Sequence, residues 1–291
     1  MIIGWPLLAA FQKETLVLRL CCLSLSFKPE FAAKQMDDLK FIDLSAMLEL
    51  DGVDFNMSSF ASVEKDHLKK VKKACLERGL SIACVGVSND FGRPAEEQEA
   101  IEKKVREGID TAQFLGAPVV RLFAGNAPGG KDRDAVWKRV VEGLKKAAAY
   151  GEKAGVVVGL QNHNHNNIAA TGDDVLRLLK DVDHPWCSHI LDTGQYLGSP
   201  GASGAKPDDA KTHDVYKSIE KTAPRAVYVR AKLYRLRTGK EEWLDYERIF
   251  KILRGVKYNG FVSLVYEGWS DMDAMHAVPK GVKFLRSYLS P

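Results

Sequence analysis

The chain has 291 residues, of which 45% are hydrophobic and 27% are charged, and its 42 basic and 38 acidic residues leave a formal net charge of +4. This near balance, without any block of Lys and Arg, gives no support to nucleic-acid binding. No uninterrupted apolar stretch approaches the about 18 residues that would suggest a membrane-spanning helix. We therefore expect neither nucleic acid nor a membrane as a partner.

The cysteines and the N-terminus bear on where the protein works. The chain has five cysteines, an odd number, and no Cys-x-x-Cys pair. Cys21 and Cys22 are neighbours in a strand-like run, so they point to opposite faces and are not expected to form a disulfide. This usage is typical of a reducing compartment, and we expect a cytoplasmic protein. Residues 1–11 are apolar but lack the basic region and cleavage site of a signal peptide, so residues 1–17 are expected to form an N-terminal extension.

From Leu18 onward, eight strand-like runs alternate with eight helix-like runs. Glycines at positions 79, 116 and 155 mark the expected ends of three of the helices. The strands are predicted at residues 18–27, 52–57, 81–87, 118–123, 156–161, 187–192, 226–233 and 260–267. The helices are predicted at residues 32–50 with a break near 40, 63–78, 95–115, 134–153, 171–181, 214–222, 245–256 and 272–289.

This alternation predicts the fold class. Strands that alternate with helices form parallel β-α-β units, and near-continuous apolar strands indicate a sheet covered on both faces. Eight such units favour an α/β fold in the form of a single (β/α)₈ TIM barrel domain over residues 18–291. No G-x-G-x-x-G string follows the first strand, which disfavours a dinucleotide-binding domain. The glycine-rich segment 124–131 is not a phosphate-binding P-loop.

In barrel enzymes the active site lies at the carboxyl ends of the strands. Polar side chains are concentrated at these predicted ends, which is unusual beside apolar strands. The predicted strand ends carry Asn56, Asn89, Asp90, Arg121, Gln161, His163, His165, Asp192, Gln195, Arg230, Lys232 and Glu267.

Four of these strand ends also carry a resemblance. The strings GLQNHNHN, HILDTGQY, VYVRAKLY and YNGFVSLVYEG resemble strands five to eight of the xylose-isomerase-like TIM barrels, and the segment DYERIFKILRGVKYNG strengthens the match. That superfamily includes sugar isomerases, keto-sugar epimerases, inosose dehydratases and endonuclease IV. The resemblance therefore implies a barrel that binds a small-molecule sugar or sugar derivative.

The resemblance also implies a divalent metal, often Mn²⁺ or Mg²⁺, held by Glu, Asp, His and Glu on strands five to eight. The matching positions here are Gln161, Asp192, Arg230 and Val265, so only the Asp is retained. A hard cation needs several anionic or oxygen ligands, and Arg supplies a permanent positive charge instead. We expect no metal cofactor, and we expect Arg230 to take over the charge of the metal by pairing with Asp192 or Glu267.

Two metal-binding alternatives stay open at this point. Mn²⁺ or Mg²⁺ could still bind at Asp192 and Glu267, because Glu267 lies two residues beyond Val265 on the same strand face. His163 or His165 could also rebuild a shifted metal site, since imidazole suits Zn²⁺ and Mn²⁺.

The leading hypothesis is an isomerase or epimerase that acts on a sugar, a keto-sugar or a derivative by proton transfer next to a carbonyl. Glu267 is the expected base and His163 a second acid or base, while Lys232 and Arg230 stabilise the developing enediolate. The two cations would also favour an anionic ligand. Residues predicted to contact the substrate are Arg121, Gln161, His165, Asp192, Gln195, Arg230 and Trp269.

A second hypothesis belongs to another class of protein. Having lost the usual metal ligands, the chain could be a non-catalytic carbohydrate-binding or scaffold member of the superfamily. Endonuclease IV-like chemistry is disfavoured, because it needs a multi-metal cluster and the chain has only seven histidines. Barrels of this kind often dimerise, so a homo-oligomer stays open, and the sequence does not identify the substrate.

Overall fold

Eight parallel strands close into a barrel in chain order, and the first strand pairs with the eighth. The computed structural model describes residues 18–130, 132–201 and 213–289. The predicted (β/α)₈ fold is confirmed. The strands are β1 (Arg19–Leu23), β2 (Gly52–Asn56), β3 (Ser81–Gly86), β4 (Val119–Phe123), β5 (Val157–Gln161), β6 (Cys187–Asp192), β7 (Ala226–Leu233) and β8 (Phe261–Tyr266).

Helices connect successive strands within these described ranges. They are α1 (Lys28–Ala32), α2 (Asp38–Met47), α3 (Lys65–Glu77), α4 (Gln98–Leu115), α5 (Arg133–Ala154), α6 (Gly172–Val182), α7 (Val215–Thr222), α8 (Tyr246–Gly255) and α9 (Ala274–Leu289).

Two predicted elements near the start of the barrel differ from the structure. β1 ends at Leu23 and is followed by a 3₁₀ turn, Ser24–Phe27, instead of continuing as a strand. The predicted break near residue 40 lies earlier, before α2, where the Asp37 side chain accepts a hydrogen bond of 2.8 Å from the Lys40 N–H. Asp37 caps the helix in this way, so the helix restarts at Asp38 and runs through Lys40.

Local signals explain several other helix ends. α4 and α5 end at Gly116 and Gly155, whose φ angles of 81° and 69° lie in the left-handed region that favours glycine. α6 begins with a capping box, in which the Thr171 and Asp174 side chains satisfy each other's backbone N–H groups.

Strand alternation divides the core into two parts. Cys22 packs in the large cluster between strands and helices, whereas Cys21 belongs to a second, smaller cluster. The Sγ of Cys21 on β1 and the Oη of Tyr228 on β7 are 3.0 Å apart although these strands are not neighbours. The smaller cluster therefore lies inside the barrel. All five cysteines are free and buried, and burial raises the pKa of Cys22 to about 12, which makes its thiol unreactive.

The predicted N-terminal extension, residues 1–17, lies outside the described residues, and the domain boundary at residue 18 stays a prediction. Across the described ranges, every helix is too short or too polar to cross a bilayer.

Candidate active site at the carboxyl ends of the strands

Between the small apolar cluster inside the barrel and the carboxyl ends of the strands, the barrel interior carries charged side chains. Arg230 on β7 reaches across the barrel to Asp54 on β2, with Nη2 at 2.9 Å from Oδ1 and Nε at 3.1 Å from Oδ2. Ser263 on β8 donates a third hydrogen bond to Asp54, at 3.1 Å. Both charged side chains are fully buried, and this bidentate geometry is the strong form of an Arg–carboxylate pair. Burial alone would lower the pKa of Arg230, but Asp54 outweighs it and the net shift is upward.

The expected pairing of Arg230 with Asp192 or Glu267 is therefore wrong. The third guanidinium nitrogen of Arg230, Nη1, donates to Gln161 Oε1 at 2.9 Å. Asp54 satisfies Arg230 from one layer deeper in the barrel. Sequence reasoning missed the Asp54 carboxylate because it lies within a strand and not at its end. An acid inside the apolar run GVDFN nevertheless indicates a buried charge that needs a partner.

Lys232, two residues further along β7, is the cation that lies between the other two carboxylates. Its Nζ is 3.0 Å from Glu267 Oε1 and 3.5 Å from Asp192 Oδ2. The Lys232 side chain is only 2% exposed, whereas Glu267 is 16% exposed. We call Lys232, Asp192, Glu267 and Gln161 the Lys232 cluster.

Asp192 is saturated by donors. Gln161 Nε2 donates to Oδ2 at 2.8 Å, and the Gly194 N–H donates to Oδ1 at 3.0 Å. The Gln161 amide thus points its oxygen at Arg230 and its nitrogen at Asp192. Burial raises the pKa of Asp192, and Lys232 partly offsets this rise. Asn162, which received no role from the sequence, holds the Asp192 backbone with hydrogen bonds of 2.8 and 2.9 Å.

The donor set at these positions does not fit a divalent metal. An amide N–H and an ammonium group face Asp192, where a metal would need further lone pairs. By alternation with Ser263, Val265 faces the interior with an apolar side chain. Over residues 18–130, 132–201 and 213–289, no three His, Cys, Asp or Glu side chains are arranged to hold a metal ion. His163 and His165 therefore have no third such ligand within these ranges for the shifted metal site.

A cavity of about 610 Å³ lies between α4 and the loops that follow β3, β4 and β5. We call it the α4 cavity. It is lined by Ser88, Asn89, Asp90, Arg93, Glu97, Ala100, Ile101, Lys104, Phe123, Asn126, His163, His165 and Asn167.

His163 lies two residues after Gln161 of the Lys232 cluster. It lines the cavity, and its ring packs edge-on against Phe123 with centroids 5.0 Å apart. Burial lowers the pKa of His163 to about 3, and the nearby charge of Lys232 acts in the same direction. The ring is therefore neutral at pH 7. Because its Nδ1 accepts the His165 N–H at 3.3 Å, its hydrogen lies on Nε2.

Arg121 supports the cavity from behind. Its guanidinium is stacked 4.0 Å from the centroid of Phe123 and donates to the Val87 carbonyl at 2.6 Å and to Asn56 Oδ1 at 3.0 Å. Burial, reinforced by the charge of Arg230, lowers its pKa to about 9. In this position Arg121 orients Phe123 and does not itself line the cavity.

The remaining predicted site residues are divided between the cluster and its surroundings. Gln195 is buried beside the cluster, with Nε2 at 3.5 Å from Glu267 Oε2, and its Oε1 has no hydrogen-bond partner among the described residues. His165 lines the α4 cavity. Trp269 is held against the 3₁₀ turn that follows β1 by a hydrogen bond of 2.9 Å from its indole N–H to the Ser26 carbonyl. It does not line the cavity.

The fold and these strand ends agree with a comparison against protein families. The model described as the xylose isomerase-like TIM barrel matches residues 42–288, and the chain belongs to this family. The resemblance inferred from the strand ends is confirmed. A search of curated proteins returned no match.

Solved structures share the fold at low sequence identity. D-psicose 3-epimerase from Clostridium cellulolyticum H10, solved with D-tagatose, superposes with a TM-score of 0.74 at 15% identity, covering 94% of this chain and 100% of that one. D-allulose 3-epimerase from Methylomonas sp. gives 0.73 at 18% identity, covering 93% and 98%. The 3-keto-D-glucoside 4-epimerase YcjR from E. coli gives 0.71 at 17% identity, covering 93% and 99%. At these identities the likeness shows the fold alone.

Proposed function

We propose that this protein is an isomerase or epimerase of a sugar, keto-sugar or sugar derivative, and that it transfers a proton next to a carbonyl. The observation that carries the proposal is the Lys232 cluster. A buried ammonium lies between two carboxylates at the carboxyl ends of the strands, and His163, two residues after Gln161, lines a cavity at the same end of the barrel. That is the end of the barrel where this fold places its chemistry, and it combines a base with a fixed positive charge.

Each polar group has a distinct role in this proposal. Glu267 is the more exposed carboxylate of the cluster, so it takes the proton from the carbon next to the substrate carbonyl. The electron pair of that C–H bond forms an enediolate, whose oxygen is stabilised by the ammonium of Lys232. His163 donates from Nε2 to a substrate oxygen as a neutral imidazole. Delivery of the proton by Glu267 to the adjacent carbon, while the hydroxyl proton passes to the former carbonyl oxygen, completes an isomerisation. Delivery of a proton from solvent to the opposite face of the same carbon, with Glu267 giving its proton back to solvent, completes an epimerisation. Arg230 acts indirectly, by orienting Gln161.

We further infer that this chemistry works without a divalent metal. The charge that would stabilise the enediolate is supplied by Lys232, which is covalently attached and cannot be removed by a chelator. Two observations support this assignment: the donor on Gln161 that faces Asp192, and the apolar Val265.

The proposal is tested by deuterium exchange. Protein treated with EDTA is incubated in D₂O with a panel of ketoses and keto-glycosides, and NMR follows deuterium uptake at the carbon next to the carbonyl. This readout detects proton transfer even where net isomerisation is small. We expect exchange with the native protein and a loss of at least about 100-fold in Glu267→Gln. Glu247→Gln, an exposed glutamate on α8, is the matched control and keeps the native rate.

Two results would overturn parts of the proposal. Sugars that raise the melting temperature but undergo no exchange would make the protein a non-catalytic carbohydrate-binding member of the family. Exchange that disappears with EDTA and returns with Mn²⁺ would refute the metal-free part while leaving the proton transfer in place.

A further inference from the structure

The α4 cavity lies apart from the two reacting groups of the proposed function. Glu267 and Lys232 do not line it, yet His163 belongs to its wall and lies within range of the Lys232 charge. At the volume of liquid water, about 30 Å³ per molecule, a cavity of about 610 Å³ corresponds to roughly twenty water molecules. A ligand that reacts at the cluster and extends past His163 would therefore enter it.

One wall of the cavity is a rigid array of hydrogen-bonding groups. The Asp90 carboxylate accepts from the Asn126 backbone N–H and from Asn126 Nδ2, both at 2.9 Å. Asn126 Oδ1 in turn accepts from Asn167 Nδ2 at 3.4 Å. Asn89 is held on the Phe123 backbone by hydrogen bonds of 2.8 and 2.9 Å. Each amide nitrogen has a second hydrogen to donate, so these groups are preorganised for a ligand with several hydroxyls.

The other wall is aromatic and aliphatic. Phe123, His163 and His165 form a continuous ring surface, with the two imidazole centroids 5.1 Å apart, and Ile101 lies on the α4 side. A sugar ring has an apolar face and a polar edge, and a cavity with one aromatic wall and one amide wall matches both.

The charges of the lining favour an uncharged ligand. Besides its two histidines the cavity carries two acids, Asp90 and Glu97, and two bases, Arg93 and Lys104. Arg93 and Glu97 already form a two-point ion pair, with both hydrogen bonds at 2.9 Å. The described residues of the lining form no cluster of cations that would select a phosphate or a carboxylate.

We propose that the α4 cavity is a second sugar subsite, and that the substrate is a neutral glycoside or disaccharide whose second ring occupies it. This inference rests on the proposed function, because the first ring must react at the Lys232 cluster. It narrows the substrate from sugars in general to glycosidically linked, uncharged ones.

The test measures binding instead of turnover. Glu267→Gln protein, which binds without converting its ligand, is titrated calorimetrically with a panel of neutral disaccharides and with their component monosaccharides. Ala100→Trp, at an exposed position of α4 on the cavity wall, fills the subsite. Glu99→Trp, an adjacent exposed position that does not line the cavity, is the matched control. Ala100→Arg fills the same space with a different side chain and guards against a folding defect specific to Trp.

We expect at least one disaccharide to bind ten-fold or more tightly than either component monosaccharide. Both Ala100 variants should remove that advantage, and Glu99→Trp should preserve it within about two-fold. Equal affinity for disaccharides and monosaccharides, or an advantage that survives both Ala100 variants, would overturn the subsite. Because binding is read without turnover, this failure is distinct from failure of the proposed function, which would appear as absent deuterium exchange in the native protein.

Discussion

Substituting methionine for Lys232 removes the ammonium from the centre of the Lys232 cluster while nearly keeping the length of the side chain. Glu267 and the fully buried Asp192 then lose the cation that lies 3.0 and 3.5 Å from their oxygens. Removing one partner of a buried ion pair typically costs 3–5 kcal/mol, because a buried charge is left uncompensated. We expect Lys232→Met to lower the free energy of unfolding at pH 7.5 by about 3–5 kcal/mol.

The assay is urea denaturation followed by far-UV circular dichroism. Lys69→Met is the matched control, because Lys69 is paired with Asp66 at 2.9 Å but the two side chains are 66% and 91% exposed. An exposed pair contributes about 0–1 kcal/mol, so this variant should lose less than that. Both substitutions remove an ammonium group about 3 Å from a carboxylate, but Lys232 is buried and faces a second carboxylate, whereas Lys69 is exposed and faces one.

A double variant tests the physical reason. Lys232→Met with Glu267→Gln leaves one buried carboxylate instead of two, so it should recover part of the lost stability. Burial raises the pKa of Asp192 even with Lys232 present, and removing the cation raises it further. The folded variant then binds protons more readily than the unfolded chain, so its deficit shrinks as the pH falls toward 4. A Lys232→Met loss no larger than that of Lys69→Met, or no recovery in the double variant, would refute the reasoning.

Two further predictions concern other buried charges and titratable groups. The pKa of His163 is lowered to about 3 from an ordinary value of 6.5, so the unfolded chain takes up a proton that the folded protein refuses. The free energy of unfolding should therefore fall as the pH drops below 6.5, by at most about 1.4 kcal/mol per pH unit. In urea denaturation, His163→Gln should lose less stability than the native protein between pH 6.5 and pH 5. Parallel pH profiles of the two proteins would contradict this. Asp54→Asn should lower the free energy of unfolding at neutral pH by about 3–5 kcal/mol, because it leaves the charge of Arg230 unpaired. Adding Arg230→Met should restore part of this stability. A loss below 1 kcal/mol for Asp54→Asn in the same assay would show that the pair does not stabilise the barrel.

The regular elements could be predicted from sequence because their signals are local. Apolar runs and glycines at helix ends placed the strands and helices from α2 onward to within a few residues, and β6 and β7 have the predicted bounds. α1 was misplaced, because it spans Lys28–Ala32 and the first helix was predicted to begin only at residue 32. The 3₁₀ turn after β1 was missed because it depends on distant partners. Ser26 Oγ, for example, accepts the Tyr266 N–H at 3.0 Å from the opposite end of the chain.

The candidate site could be predicted only in part. The rule that barrel chemistry lies at strand ends selected Lys232, Asp192, Glu267 and Gln161, and the structure brings these four together. The rule does not predict which cation forms an ion pair with which carboxylate. It also gave no reason to join α4 to the loops after β3, β4 and β5, so the α4 cavity was not foreseen.

The sequence by itself determined the order of the elements, the barrel class and the family, because periodicity, glycine positions and strand-end strings act over a few residues. Only the tertiary structure decided the charge pairing. Arg230 and Asp54 are 176 residues apart, and closure of the barrel places β2 and β7 across from each other. That contact occupies Arg230 and leaves Lys232 as the cation paired with both Asp192 and Glu267. No local sequence pattern encodes how deep each side chain lies in the closed barrel. That depth determines which charged groups are available at the carboxyl ends of the strands.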